Sequence, residues 1–282
     1  MSYNKVSYKI KTMPILTQEQ KDNAVKLYNQ GLSTYKVAKQ IGCHQGTIHN
    51  LVKKLGINRD LATANRTNNF DEYFFHNIDN EYKAYWLGFI YADGCILQNK
   101  KWRQNRLQIG LSIADIDHLY KFKEHISYTG NVNTYSKMCP KAGMKDYCRI
   151  AINNKTLIKG LIKHGATPEK THTITFPNID AKLHKHFIRG YFDGDGMITT
   201  RNDRAYVFSI TSTFNFLERL TNILKAECNI KLLNITKDRS MFRIVKSAKK
   251  DVISIMNWLY KDSNVYLERK YAKYLSGPSK RA

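Results

Sequence analysis

The chain is 282 residues long and 42% hydrophobic, enough to build one large core or two smaller ones. Lys and Arg number 46 against 23 Asp and Glu; the net charge of +23 and pI near 9.7 point to a polyanionic partner. The longest apolar run, residues 84–92, is far short of the ~20 residues of a membrane-spanning helix, and no apolar leader segment is expected.

The first segment, residues 1–57, reads as a small all-α domain. Thr17-Gln-Glu-Gln20 is a capping box that opens a helix running through Tyr28 and closed by Gly31. A second helix starts near Ser33 with Val37, Ala38 and Ile41 on one face. Gly42 turns the chain into a third helix, from about Gln45 to Lys54, with Ile48, Leu51 and Val52 inward. The spacing of Ala38, Gly42, Ile48 and Leu51 resembles the helix-turn-helix of resolvases and transposase-like regulators. The resemblance implies that the third helix enters a DNA major groove. Its outward residues are then His44, Gln45, Thr47, His49, Asn50 and Lys53, a polar face without an acid. Residues 58–70 are polar and rich in Asn and Thr, which reads as a linker, with Arg59 and Arg66 placed to meet a nucleic-acid backbone.

Beyond the linker one nine-residue signature occurs twice, WLGFIYADG at 86–94 and IRGYFDGDG at 188–196. Gly88 and Ala92 in the first copy, and Gly190 and Gly194 in the second, fall four apart. They share one helix face, so two such helices can pack with backbones nearly touching. Each copy ends in Asp-Gly. Gly94 and Gly196 are expected in the left-handed conformation that ends a helix, which leaves Asp93 and Asp195 in the last turn. A carboxylate there opposes the helix dipole by roughly 0.3 to 1 kcal/mol, and two of them together call for a proton or a hard cation.

After each signature the pattern predicts two strands, a helix, two more strands and a helix. In the first repeat, residues 71–178, these are CILQ, RLQIGLSI, DIDHLYKFKEHI, GNVNTYSK, DYCRIAI and NKTLIKGLIKHG. In the second, residues 179–282, they are MITT, AYVFSITS, FNFLERLTNILK, IKLLNITK, SMFRIVK and KKDVISIMNWLY. The fold class is therefore α+β, a tandem pseudo-symmetric αββαββα duplication with antiparallel sheets, plus the small all-α domain. Helices on one face of each sheet leave the other free. Expected there are Gln98, Arg103, Arg106, Gln108, Lys137 and Arg149 in the first repeat, and Arg201, Arg204, Lys237, Arg239 and Arg243 in the second. A second recurrence places Lys170 77 residues after Asp93 and Lys270 75 residues after Asp195.

The paired signature resembles that of the LAGLIDADG homing endonucleases, over roughly residues 70–275. Position one is Trp86 rather than an aliphatic residue, and position six is Tyr91 in one copy and Asp193 in the other. The resemblance implies a DNA-binding saddle joined at the signature helices. It further implies a single-chain, monomeric enzyme that cuts a long, non-palindromic double-stranded DNA site by metal-assisted phosphodiester hydrolysis. Asp93 and Asp195 become the metal ligands, with the carbonyls of Ala92 and Gly194 as further ligands, and Lys170 and Lys270 complete the active site. Mg²⁺ is the expected cofactor; Mn²⁺ should substitute, and Ca²⁺ should support binding without cleavage. The alternative is a non-cleaving protein on the same fold, such as an intron maturase or transcription regulator, with RNA as a further partner. Five cysteines, odd in number and without a CxxC pair, argue for a reducing compartment, cytoplasmic or organellar, rather than secretion.

Overall fold

The computed structural model describes residues 16–58, 68–99, 104–140, 142–201, 205–231 and 233–277. The chain divides into two compact units, residues 1–67 and 68–282.

The first unit holds three helices, α1 (Gln18–Asn29), α2 (Thr34–Ile41) and α3 (Gln45–Lys54). The capping box forms: Gln20 N donates to Thr17 Oγ1 at 3.2 Å, and Thr17 N donates to Gln20 Oε1 at 3.0 Å. Gly42 adopts φ 78°, the left-handed conformation that turns α2 toward α3. Ala24, Tyr28, Val37, Ala38, Ile48 and Val52 form the core, while Leu51 and Ile41, expected inward, are only half-buried at its margin.

The second unit is α+β. Its first half runs α4 (Glu81–Asp93), β1 (Gly94–Asn99), β2 (Gln104–Ser112), α5 (Ile116–His125), β3 (Asn133–Cys139), β4 (Gly143–Asn153) and α6 (Lys155–Lys163). Its second half repeats the order as α7 (His184–Asp195), β5 (Met197–Arg201), β6 (Ala205–Ser212), α8 (Phe214–Cys228), β7 (Ile235–Asp238), β8 (Met241–Lys246) and α9 (Lys249–Tyr260). An additional helix, α10 (Glu268–Ser276), follows. Each half has one four-stranded antiparallel sheet, ordered β1-β2-β4-β3 and β5-β6-β8-β7. The start of this unit includes the end of the expected linker, since Asn69 N donates to Thr129 Oγ1 at 2.8 Å and Thr129 N returns a bond to Asn69 O at 2.9 Å.

One continuous core spans both halves, and α4 lies at its centre with every residue from Ala84 to Tyr91 buried. A helix apolar on all sides must be surrounded, and α4 packs along α7. The small residues set how closely. A Cβ added to Gly88 would stand 2.0 Å from the Phe187 carbonyl oxygen, and one on Gly190 would stand 1.9 Å from the Tyr85 carbonyl oxygen. The two glycines thus interlock reciprocally, each occupied by the backbone of the other helix.

Gly94 and Gly196 differ from expectation. They have φ of −77° and −72°, extended rather than left-handed, so no special backbone angle selects them. Space does: a Cβ on either would lie 2.6 Å from a carbonyl oxygen of its own helix, Ile90 O or Phe192 O. Each chain leaves its helix directly into the first strand of the sheet. Among the described residues no helix is long and apolar enough to cross a membrane, and all five cysteines are free thiols.

Candidate active site and nucleic-acid interface

The helix pair carries Asp93 and Asp195 to one place. A Cβ on Gly194 would stand 2.3 Å from the Ala92 Cβ and 3.3 Å from Asp93 Oδ2, so the Asp93 carboxylate lies against the last turn of α7. Asp93 is half-buried and Asp195 reaches solvent. Burial followed by the charge of Asp195 pushes the Asp93 carboxyl up to about 6, while Lys270, Arg269 and Lys170 draw it back down. Asp195 is also raised, because protein surrounds it on its other sides, with Lys270 and Lys170 opposing. Among the described residues no group of three or more His, Cys, Asp or Glu gathers into a metal-ligating cluster. The oxygen donors of the centre are therefore two carboxylates and nearby carbonyls.

Both sequence-nominated lysines reach this centre, in different states. Lys170, in a single 3-10 turn, donates to the Gly94 carbonyl, and burial lowers its pKa. It lines a cavity of about 230 Å³ together with Tyr91, Ala92, Tyr191, Asp195 and Thr211. Lys270, on α10, is buried; it donates to Phe192 O at 2.6 Å, Gly194 O at 2.9 Å and Gly196 O at 2.5 Å. Burial brings its pKa down to about 8. It ties off the C-terminal carbonyls of α7, where a cation also suits the helix dipole. The Gly194 carbonyl, expected as a metal ligand, already accepts this bond.

The unequal sixth positions of the signature now have a physical reason. Tyr91 Oη donates to the His164 carbonyl, ahead of the turn that bears Lys170. Asp193, fully buried, accepts from Tyr85 Oη at 2.8 Å, from Leu267 N at 2.8 Å and from Tyr260 Oη. Burial pushes its carboxyl up, and those bonds oppose the shift. The Leu267 bond fixes the start of α10. Position six in each repeat thus anchors the segment that carries the lysine. Arg189, also fully buried, holds the same region through Val265 O and Leu259 O, each at 2.9 Å, and Glu81 Oε1 at 2.5 Å.

Sequence reasoning missed three residues. Asp193 was noted only as a departure from the family pattern, although a carboxylate in an apolar helix is itself a signal. Arg269, immediately before Lys270, donates from Nε to both oxygens of the buried Asp115, at 3.0 and 2.9 Å. Nothing in the local pattern around Asp115, in the turn before α5, joins it to a residue 154 positions away.

Strand alternation sorts the proposed sheet residues. Arg106, Gln108, Lys137 and Arg149 lie on the free face of the first sheet, as their pairings Arg106↔Asn153, Cys95↔Gln108 and Asn133↔Arg149 show. Gln98 alternates with Leu97 and therefore shares the side of Ile96, the core side, at the strand's outer end. In the second sheet Arg243 pairs with Thr211 and Thr236 on the free face, while Arg201 ends β5 and its side chain lies outside the described residues. Lys237 pairs with Phe242 and so belongs to the other side, exposed at the sheet edge. Arg239 sits in the β7–β8 turn with φ 56°. Arg149 and Arg243 occupy matching places in the two sheets, and the Nε of each is buried without a hydrogen-bond partner among the described residues. Arg59, Arg66, Arg103 and Arg204 lie outside the described residues.

In the first unit His44, Gln45, His49, Asn50 and Lys53 are exposed and Thr47 is half-buried. His44 has a structural duty as well: its Nδ1 accepts from Gly46 N at 3.1 Å and caps α3.

No protein-family model matches the sequence, and no curated protein matches it. Solved structures do. The homing endonuclease I-WcaI, bound to its DNA recognition sequence, superposes with a TM-score of 0.52 at 15% identity, covering 69% of this chain and 87% of that one. The LAGLIDADG homing endonuclease I-GzeII, in complex with its DNA target, gives 0.47 at 15% identity over 70% and 88%. The N-terminal LAGLIDADG domain of DUF199/WhiA gives 0.45 at 17% identity over 72% and 96%. At such identities the likeness is one of fold, and it agrees with the duplicated signature and the two matching sheets: this chain has the two-repeat LAGLIDADG fold.

Proposed function

We propose that the protein is a site-specific DNA endonuclease that hydrolyses phosphodiesters with a divalent metal ion. The observation that carries this reading is the meeting of two repeat-equivalent carboxylates, Asp93 and Asp195, at the ends of helices interlocked through Gly88 and Gly190. Burial first, and the charge of Asp195 second, raise the Asp93 carboxyl, and a hard cation bound there would favour its charged form. Two carboxylates, with phosphate oxygens and water completing the shell, suit Mg²⁺. Asp93 and Asp195 would hold it, with the carbonyl of Ala92 as a further donor, since the Gly194 carbonyl already accepts from Lys270. A bound Mg²⁺ offsets phosphate charge, lowers the pKa of water and steadies the leaving oxygen.

The chain's own residues supply position and charge. A water oxygen bonds to phosphorus and gives a proton to solvent; the bond from phosphorus to the 3′ oxygen breaks, and that oxygen takes a proton from solvent, leaving a 3′ hydroxyl and a 5′ phosphate. Lys170, which lines one cavity together with Asp195, would stabilise the charge that develops on the phosphoryl oxygens. Arg106, Gln108, Arg149 and Arg243 on the free sheet faces would read or grip the duplex, and α3 of the first unit would extend the site as a helix-turn-helix. Since both halves lie in one chain, a monomer on a non-palindromic site is expected. A second reading, DNA binding without cleavage, draws on the engagement of Lys270 by three carbonyls.

The test incubates the protein with fragmented genomic DNA and Mg²⁺, with Ca²⁺ in parallel, and sequences new ends. Recurrent Mg²⁺-dependent ends at one long site support the endonuclease; protection of a site without ends in either ion supports the binding protein.

A further inference from the structure

The two lysine-bearing segments carry opposite charges at the same place: Glu169 precedes Lys170, and Arg269 precedes Lys270. The amines differ too. Lys270 gives all three of its hydrogens to the carbonyls of Phe192, Gly194 and Gly196. To meet a phosphate it would have to release one of them and leave a buried carbonyl unpaired. Lys170 has one such partner, the Gly94 carbonyl, among the described residues and borders the cavity that contains Asp195.

Arg269 has what Lys270 lacks. Its side chain is 59% exposed, and only its Nε is engaged, by the buried Asp115. Both of its Nη groups are without a partner among the described residues. It lines a cleft of about 500 Å³ with Asp115, Asp117, His118, Lys121, Tyr266 and Glu268, a cleft that Lys270 does not border; Glu268 is paired with Lys121 at 2.5 Å. Its charge reaches the centre, since it is among the groups that draw the Asp93 carboxyl down. An arginine held by one edge and free at the other presents a planar fork suited to phosphate.

We propose that Arg269, and not Lys270, is the cation that meets the DNA phosphate on the Lys270 side of the site. Lys270 is a positioning residue that fixes the end of α7 and with it Asp195. On the other side Glu169 repels phosphate, and Lys170 acts unaided. The proposal rests on the endonuclease reading for its catalytic consequence, and on DNA binding alone for its contact.

Two readouts test it, on a duplex bearing the site recovered by the genomic experiment and labelled separately on each strand. In Mg²⁺, Arg269→Gln slows cutting of one strand by about 10²- to 10³-fold and leaves the other unchanged, and Arg269→Lys restores part of the loss. In Ca²⁺, Arg269→Gln reduces the slope of log affinity against log salt by about 0.9, the release of one counterion, while Lys270→Met leaves the slope unchanged. Equal slowing of both strands, no slowing, or an unaltered salt slope in Arg269→Gln overturns the proposal, as does a reduced slope in Lys270→Met. If the parent protein binds but never cuts, the endonuclease reading falls while the salt slope still decides the Arg269 contact. Thermal melting of each variant identifies any that has lost its fold, and Arg269→Lys, which keeps the charge, then carries the comparison through its intact salt slope and reduced cutting of one strand.

Discussion

The two repeats build the same scaffold and stabilise their lysines differently. In the first, Tyr91 reaches one carbonyl, at His164, and the lysine sits in a single turn with one carbonyl partner. In the second, a fully buried carboxylate, Asp193, gathers two tyrosine hydroxyls and a backbone N–H, and the lysine is locked on a helix by three carbonyls. The duplication thus preserves the geometry at the centre, while the surrounding bonds of each half have diverged. One half holds its lysine by three carbonyls and the other by one.

That contrast can be broken most severely at position six. Asp193→Ala strands three buried donors and should destabilise the second unit by about 3 to 5 kcal/mol, whereas Tyr91→Phe should cost about 1 kcal/mol; urea denaturation of the two variants measures the difference. Equal losses would mean that the halves are anchored alike. The seam between the repeats is symmetric, so it serves as a control. Gly88→Ala and Gly190→Ala should each cost about 3 kcal/mol or more, since their Cβ atoms would overlap backbone carbonyls, while Gly110→Ala, whose Cβ meets nothing nearer than 3.9 Å, should stay within about 0.5 kcal/mol. Removal of the lysines sharpens the comparison again. Lys270→Met should lower stability by about 2 kcal/mol and Lys170→Met by less than about 1 kcal/mol, read from the same curves.

One expected effect depends on pH. Asp93 binds its proton more tightly in the folded protein, with a pKa of about 6, than an ordinary carboxyl does. The folded state is therefore penalised above about pH 6, where the group is charged, and not below about pH 4, where it is protonated in both states. Metal-free Asp93→Asn should be more stable than the parent by about 1 to 2 kcal/mol at pH 7.5, with the gain vanishing near pH 4. A gain of the same size at both pH values would place the cause outside that carboxyl's ionisation.

Much of this was legible in the sequence because it is written in short-range patterns. The capping box at Thr17, the small residues four apart in α4 and α7, and the two-strand, helix, two-strand order all recur at fixed spacing, and the sheets follow that order. The helix α10 was not legible, because its buried position is filled by Lys270, and a charged residue breaks the apolar period that marks a helix face. Gly94 and Gly196 were assigned the wrong backbone conformation, since Asp-Gly after a helix suits either a left-handed cap or a direct exit into a strand. Gln98 and Lys237 changed sides because alternation depends on register, and register is set by the partner strand. The inequality of the two lysines depends on carbonyls more than 70 residues away, so no local pattern could contain it.

The most direct measurement is strand-resolved, single-turnover cleavage of the selected duplex by Asp93→Asn and Asp195→Asn, each with Mg²⁺ and each beside binding of the same duplex in Ca²⁺. The centre proposed here predicts that either substitution slows cleavage by about 10³-fold while the variant still binds. Cleavage at the parent rate by either variant would contradict the assignment of the two carboxylates as one catalytic centre.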